Sequence, residues 1–181
     1  AVDIAGNITA QCKAFGEDTT FIDFNPETGS LVSDLPPATV SSSKIALIHD
    51  ALVMGIRDYF AKMGFKKAIL GLSGGIDSAV TLALAAEALG KENVYAVLLP
   101  SEFSSDHSIN DAVALAKNLG CKYDTISIKD GYTSILGSLQ PYFNNLPFNV
   151  AEENIQARVR AIILMGLANK FGYILLNTSN K

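Results

Sequence analysis

The sequence predicts an α/β fold built on a doubly wound parallel sheet, and three observations carry that expectation. From residue 44 onward, short apolar segments alternate with longer amphipathic ones. The links between most of them are short, as strand–helix units require. A glycine-rich turn joins the first apolar segment of the series to the helical one after it, which is where open parallel sheets hold their ligands. Strands that alternate with helices in this way form a parallel sheet covered on both faces.

Composition agrees. Of 181 residues, 49% are hydrophobic and 18% charged, the balance of a globular chain rather than a disordered one. That length accommodates one full domain and a fragment of a second. The longest apolar run, Ala161 to Ala168, has eight residues, against the roughly 20 needed to cross a bilayer, so no membrane partner is expected. The first residues, Ala1-Val2-Asp3-Ile4, show no basic-then-apolar leader. Lys and Arg number 14 against 18 Asp and Glu, for a net charge of −4. Nucleic acid is disfavoured as a partner, whereas a small anion needs only local positive potential. Cys12 and Cys121 stand far apart with no metal-ligating neighbour at suitable spacing, and they read as reduced structural thiols of a cytoplasmic protein.

Along the chain, Asp18 to Phe24 reads as a strand entering a turn at Asn25-Pro26-Glu27-Thr28-Gly29. Val32 to Ser43, with Pro36-Pro37 and several serines, reads as a linker. A helix follows from Lys44, with Ile45, Ile48, Leu52, Ile56, Tyr59 and Met63 at three- and four-residue intervals, Ser43 to cap it and Gly64 to end it. Next come a strand at Ala68–Leu72, a helix at Ile76–Leu89 stopped by Gly90, a strand at Val94–Leu99 and a helix at Ser105–Leu119 before Gly120. Thr125–Ile128 is read as a strand and Tyr132–Leu139 as a short helix. Residues 140–150, with Pro141 and Pro147, are read as a long surface loop. A helix at Ala151–Lys170 and a strand at Tyr173–Leu176 close the series.

The chemistry concentrates in Gly71-Leu72-Ser73-Gly74-Gly75-Ile76-Asp77-Ser78. Placed between a strand and a helix start, these residues offer unpaired backbone N–H groups and the positive end of a helix dipole. Gly74 and Gly75 let an anion approach the backbone, and Ser73 and Ser78 add hydroxyls: a phosphate cradle. The lysine of G-x-x-x-x-G-K-[ST] is missing, as is G-x-G-x-x-G, which disfavours an ordinary kinase, a GTPase or a dinucleotide fold of the usual sort. Asp77 would repel phosphate unless a cation lay between, and Mg²⁺ bridges carboxylate and phosphate oxygens; the plain alternative is a first-turn acid that favours the helix dipole. Five fixed letters at roughly 7% each match a chain of this length by chance on the order of once in several thousand trials.

Ser73-Gly74-Gly75-Ile76-Asp77-Ser78 resembles the pyrophosphate loop of the ATP pyrophosphatase superfamily, whose fold is of the adenine nucleotide alpha hydrolase-like, Rossmann-like kind. GMP, asparagine and NAD synthetases share that loop. Leu99-Pro100-Ser101 with Ser104-Ser105-Asp106, Glu153-Asn154-Ile155-Gln156-Ala157-Arg158-Val159-Arg160, and Asn177-Thr178-Ser179-Asn180-Lys181 resemble, together, NAD synthetase in the variant fused to a glutaminase. The resemblance implies that residues 1–40 are the tail of a nitrilase-like glutaminase domain plus linker. It makes residues 41–181 an ATP pyrophosphatase domain that continues, in the matching enzymes, with Ser-Glu and further elements. It also implies an ATP-dependent amidation of deamido-NAD through an adenylated intermediate, with ATP and Mg²⁺, with ammonia free or drawn from glutamine, and in a homo-oligomer. The alternatives are a non-catalytic ATP-binding fragment and another synthetase of the superfamily.

By the same resemblance, Gly71 through Ser78 and Thr178 contact ATP, Asp77 the metal, and Asn154 the deamido-NAD. Arg158, one turn beyond Asn154, could pair with a phosphate or carboxylate of that substrate. Read as residues alone, Asn154 and Arg158 form an ordinary solvated face with Ile155, Val159 and Ile162 on another, and Thr178 is a turn residue. Leu98 and Leu99 read as core or as flanks of an adenine. His49 and His107 have no triad partner in sequence and read as surface or capping residues. Tyr142, Phe143 and Phe148 either pack on the domain or meet a second subunit. No residue is assigned as a catalytic nucleophile or general acid.

Overall fold

The computed structural model describes residues 1–33, 43–102 and 104–178. They form two compact units, Ala1–Gly55 and Ile56–Lys181. The linker expected at 32–43 and the 40/41 domain boundary fall almost wholly outside the described residues.

In the first unit the strand entering the Asn25 turn is shorter than expected and returns as a hairpin. β1 (Asp23–Asn25) pairs antiparallel with β2 (Ser30–Val32), Phe24 opposite Leu31. Asn25 builds the turn: its side-chain oxygen accepts from the N–H of Glu27 at 2.9 Å, and its carbonyl accepts from that of Gly29 at 2.8 Å. Residues 18–22 carry no strand pairing, because the four β-prone letters Thr19-Thr20-Phe21-Ile22 do not by themselves supply a partner. Helix α1 (Lys44–Met63) begins in this unit and ends in the second. Its N–H at Ala46 bonds to the Ser43 hydroxyl at 3.4 Å, the cap that the sequence suggests. The apolar series that marks it as a helix is largely solvent-facing, with Ile45, Ile48, Leu52, Tyr59 and Met63 exposed, while Val53 and Phe60 are buried.

The second unit is the sheet. Its strands are β3 (Ala68–Gly71), β4 (Val94–Leu98), β5 (Lys122–Thr125) and β6 (Ile174–Leu176), ordered β5-β4-β3-β6, and every neighbouring pair is parallel. The helices between them are α2 (Ile76–Leu89), α3 (Asp106–Leu119), α4 (Lys129–Phe143) and α5 (Val150–Phe171). Alternation along β3 and β4 sorts the core into two layers. Leu70, Val94, Ala96 and Leu98 pack with Leu82, Ala85, Ala112 and Ala116 of α2 and α3. Ile69, Tyr95, Val97 and Leu99 pack with Val159, Ala168 and Ile128 on the other face, where α5 lies. β3 and β4 are buried on both faces, which is why they read as unbroken apolar runs. The chain builds outward from β3 to β5 and then returns to place β6 on the other side of β3. Right-handed crossovers put the returning helices on the opposite face, so the sheet is doubly wound, as expected. The reversal makes the β3–β6 junction the switch point of the topology.

Two expectations need correction. The edge strand β5 is Lys122–Thr125, not Thr125–Ile128. It is the edge of the sheet and largely exposed, so its residues are polar, and the apolar letters fall after it. Ile126 and Ile128 still donate to the carbonyls of Leu98 and Pro100, at 2.9 and 3.2 Å. The second correction concerns residues 140–150: α4 starts earlier and runs through Pro141 to Phe143, leaving only residues 144–149 as loop. Proline removes one N–H from a helix, and with a single residue pair left before the end the last turn survives that loss. Asn149 then opens α5 with a capping box, its N–H donating to the Glu152 carboxylate at 2.9 Å.

Candidate functional site

The β3–α2 loop leaves the sheet at Gly71 and enters α2 at Gly75. Inside it, Ser78 is 2% exposed and gathers three contacts. Its hydroxyl donates to the Gly75 carbonyl at 3.0 Å, accepts from the N–H of Ser73 at 3.2 Å, and lies 3.1 Å from the Ser73 hydroxyl. The Ser73 oxygen in turn accepts from the N–H of Gly75 at 3.2 Å. In this arrangement both serines brace the loop: Ser78 is buried within it, whereas Ser73 is also exposed toward a neighbouring hollow. The outward donors are backbone amides. Gly75 gives α2 no side-chain cap, and the helix itself cannot pair the amides of its first turn, Ile76, Asp77 and Ser78.

Gly74 is the residue that shapes this turn. Its φ is +84°, and a β-carbon there would lie 2.9 Å from both the Cα and the carbonyl carbon of Ser108. No other residue type fits both constraints. Asp77 is exposed on the first turn of α2, a single carboxylate at the mouth of the loop; among the described residues no three His, Cys, Asp or Glu side chains cluster as a metal site. One carboxylate is nevertheless the usual protein share of a magnesium ion that arrives on phosphates, so the donor set fits a nucleotide-borne cation and not a caged one.

Hollows adjoin the loop along the carboxyl ends of the strands. One, of about 400 Å³, lies over the β3–β6 switch point and is lined by Gly71, Arg160, Leu164, Asn177 and Thr178, bringing the loop's first residue and Thr178 to one place. A smaller one runs between Ser73, Leu98, Leu99, Ser108 and Arg160, so Leu98 and Leu99 are both core and wall. A third, of about 490 Å³, lies between Ser104, Phe148, Glu153, Gln156 and Arg160. Asn154 and Arg158 are exposed and line none of the three. Ile155 and Val159 face inward, whereas Ile162, at the edge of that arc, is exposed. Ser179, Asn180 and Lys181 lie outside the described residues.

Arg160, which the sequence reading passed over in favour of Arg158, lines every one of these hollows. Two residues apart on a helix means about 200° of rotation: Arg158 faces solvent with Asn154, and Arg160 shares its face with Gln156 and Leu164. Its Nε donates to the Leu99 carbonyl at 3.0 Å, and burial pushes its guanidinium below the ordinary arginine range. Helical phase relative to Val159, the buried anchor, was the available signal. The histidines stay peripheral: His107 Nδ1 lies 3.2 Å from Asp111, and His49 Nδ1 lies 3.0 Å from Asp50. Cys121 is buried and Cys12 exposed, both free thiols, with burial raising the Cys121 thiol.

A doubly wound parallel sheet with a glycine loop of this design at its carboxyl edge is the adenine nucleotide alpha hydrolase-like architecture. The chain belongs to the NAD synthase family, whose model matches residues 48–181. A glutamine-dependent NAD(+) synthetase of Synechocystis is 48% identical over 181 residues, all of this chain and 32% of that protein. The solved glutamine-dependent NAD+ synthetase of Acinetobacter baumannii, in complex with ADP, superposes with a TM-score of 0.83 at 41% identity, over 88% of this chain and 30% of that one. The NMN synthetase of Francisella tularensis superposes with a TM-score of 0.69 at 31% identity, over 77% of this chain and 56% of that one. The chain thus spans about a third of the length of the glutamine-dependent relatives. No helix among the described residues is long and apolar enough to cross a membrane.

Proposed function

We propose that this chain is the ATP-binding part of a synthetase that amidates deamido-NAD to NAD, with AMP and pyrophosphate as the other products. The observation that carries the reading is the braced loop at Gly71–Ser78, set at the carboxyl edge of β3 beside the β3–β6 switch point. Amides held in place before the ligand arrives need no reorganisation when charge develops, which is the most effective form of electrostatic catalysis.

In this reading a carboxylate oxygen of deamido-NAD attacks the α-phosphorus of ATP, and the bond to the bridging oxygen of pyrophosphate breaks. The electron pair departs with pyrophosphate, whose charge the first-turn amides of α2 face. Ammonia then adds to the activated acyl carbon, AMP leaves with the electron pair of its acyl–oxygen bond, and nitrogen loses one proton to solvent. Thr178 and Gly71 hold the nucleotide at the switch point, and Asn154, with Arg158, meets deamido-NAD from the exposed face of α5. Asp77 would hold Mg²⁺, which when bound shields the phosphates from that carboxylate and from one another.

Residues 1–40 are read as the tail of a nitrilase-like glutaminase domain and its linker. Support comes from the Synechocystis protein, which matches across all 181 residues, including the 47 that precede the family model. Ammonia would then come from glutamine in the full-length protein, or free from solution. The protein is read as cytoplasmic, which its free thiols support, and, by the family resemblance, as homo-oligomeric.

The test is pyrophosphate release by the protein with ATP, Mg²⁺ and ammonia, offered deamido-NAD or nicotinate mononucleotide. Release that depends on deamido-NAD is expected. Preference for the mononucleotide would overturn the substrate, and ATP binding without release on either substrate would reduce the chain to a binding fragment.

A further inference from the structure

Arg160 is the side chain common to four hollows along the carboxyl edge of the sheet. Its Nε is committed to the Leu99 carbonyl at 3.0 Å, a contact that joins residues 61 apart in sequence. That bond fixes the plane of the guanidinium and leaves its two terminal amino groups, with four N–H donors, for other partners. No ion pair involves Arg160 among the described residues. The group is half-buried, and burial is the sole influence on its protonation, driving it downward.

Arginine keeps its proton under such conditions, so a partly desolvated positive charge stands with no ion-pair partner within 4.0 Å among the described residues, Glu153 being an acid that shares one hollow with it. Desolvating an unpaired charge is costly, and folds that retain one generally provide it with an anion. The nearest anion-seeking feature is the loop: Ser73 and Arg160 line the same hollow, and Gly71 and Arg160 line another. The strand end of the loop, Gly71 to Ser73, and Arg160 of α5 thus share the walls of the same hollows.

We propose that Arg160 binds a phosphate oxygen of the nucleotide held by the Gly71–Ser78 loop, with the bond to Leu99 holding the fork in position. The inference rests on the nucleotide-binding reading above. It gives Arg160 a role toward the nucleotide that the sequence did not assign, and leaves Arg158 on the substrate face. A guanidinium suits the task because its parallel donors match two phosphate oxygens, which a lysine ammonium cannot do.

The experiment is calorimetric titration of ATP, AMP and adenosine into the wild-type protein, R160Q and R160K, with Mg²⁺ present. R160Q is expected to weaken ATP and AMP by roughly 10- to 100-fold, the loss associated with one charge-assisted contact, while adenosine changes by less than about twofold. R160K, which keeps the charge and loses the fork, is expected to lie between wild type and R160Q for ATP. Equal losses for adenosine and ATP would mean that Arg160 only props up Leu99, and would overturn the proposal. So would wild-type ATP affinity in either variant, while the nucleotide reading itself survived. If wild type bound none of the three ligands, the nucleotide reading would fall, and Arg160 with it.

Discussion

Gly74 backs directly onto Ser108: a β-carbon on the glycine would meet the serine's Cα and carbonyl carbon at 2.9 Å, and its carbonyl oxygen closer still. The β3–α2 loop is therefore held by its own serines on the inside and by the first turn of α3 behind. Ser105 caps that turn through the N–H of Ser108 at 3.2 Å, so the wall against which Gly74 rests is itself fixed.

Gly74→Ala is expected to cost on the order of 2–4 kcal/mol, from a left-handed backbone plus a contact with backbone atoms that cannot yield. ATP affinity should fall further than stability does. Urea unfolding together with an ATP titration checks both; a variant that binds ATP as wild type does would show that the loop reshapes freely.

Ser78→Ala removes a buried hydroxyl that serves Ser73 and Gly75. Leaving those groups without their partner is expected to cost about 1–3 kcal/mol. Thermal melting measures the loss, and Ser78→Thr, which restores the oxygen, is expected to recover part of it.

Asp77→Asn should leave stability within about 0.5 kcal/mol, since the side chain is exposed and contributes only a first-turn charge. Pyrophosphate release by the full-length enzyme should nevertheless lose most of its rate, and ATP affinity should become insensitive to Mg²⁺. Near-normal turnover in that variant would refute the metal role.

Tyr95 donates its hydroxyl proton to Asp124 at 2.7 Å, and burial followed by that carboxylate pushes the phenol up to about 12. The unfolded phenol titrates near 10, so the folded state favours the protonated form. Stability from this pair is fully present below about pH 10 and is lost as pH rises through about 12. Phenolate absorbance during an alkaline titration should show one late tyrosine, absent in Tyr95→Phe; a complement that titrates together near 10 would contradict it.

The glycine loop between β3 and α2 was legible because its pattern is local: glycines, serines and an acid between a strand and a helix need only their own order to mark such a turn. The buried strands at Ala68–Gly71 and Val94–Leu98 were legible for a similar reason, since burial on both faces demands unbroken apolar letters. The edge strand β5 was misplaced because an exposed edge imposes no such demand. The second strand of the hairpin, at Ser30–Val32, was passed over because a strand of three residues, two of them exposed, has no apolar run to declare it and pairs through its backbone.

What the amino-acid order determined by itself, then, was the alternation, the family resemblance and the loop. The tertiary structure decided which residues face that loop. Arg158 and Arg160 are two letters apart in one motif and indistinguishable by composition, yet the rotation of α5 against β4 sends one to solvent and joins the other to Leu99. It likewise turned Ser78 inward, and it brought Thr178 beside Gly71 by returning β6 to the far side of β3. Such choices rest on packing between segments distant in sequence, where helical phase and strand order, and not local propensity, set what each side chain meets.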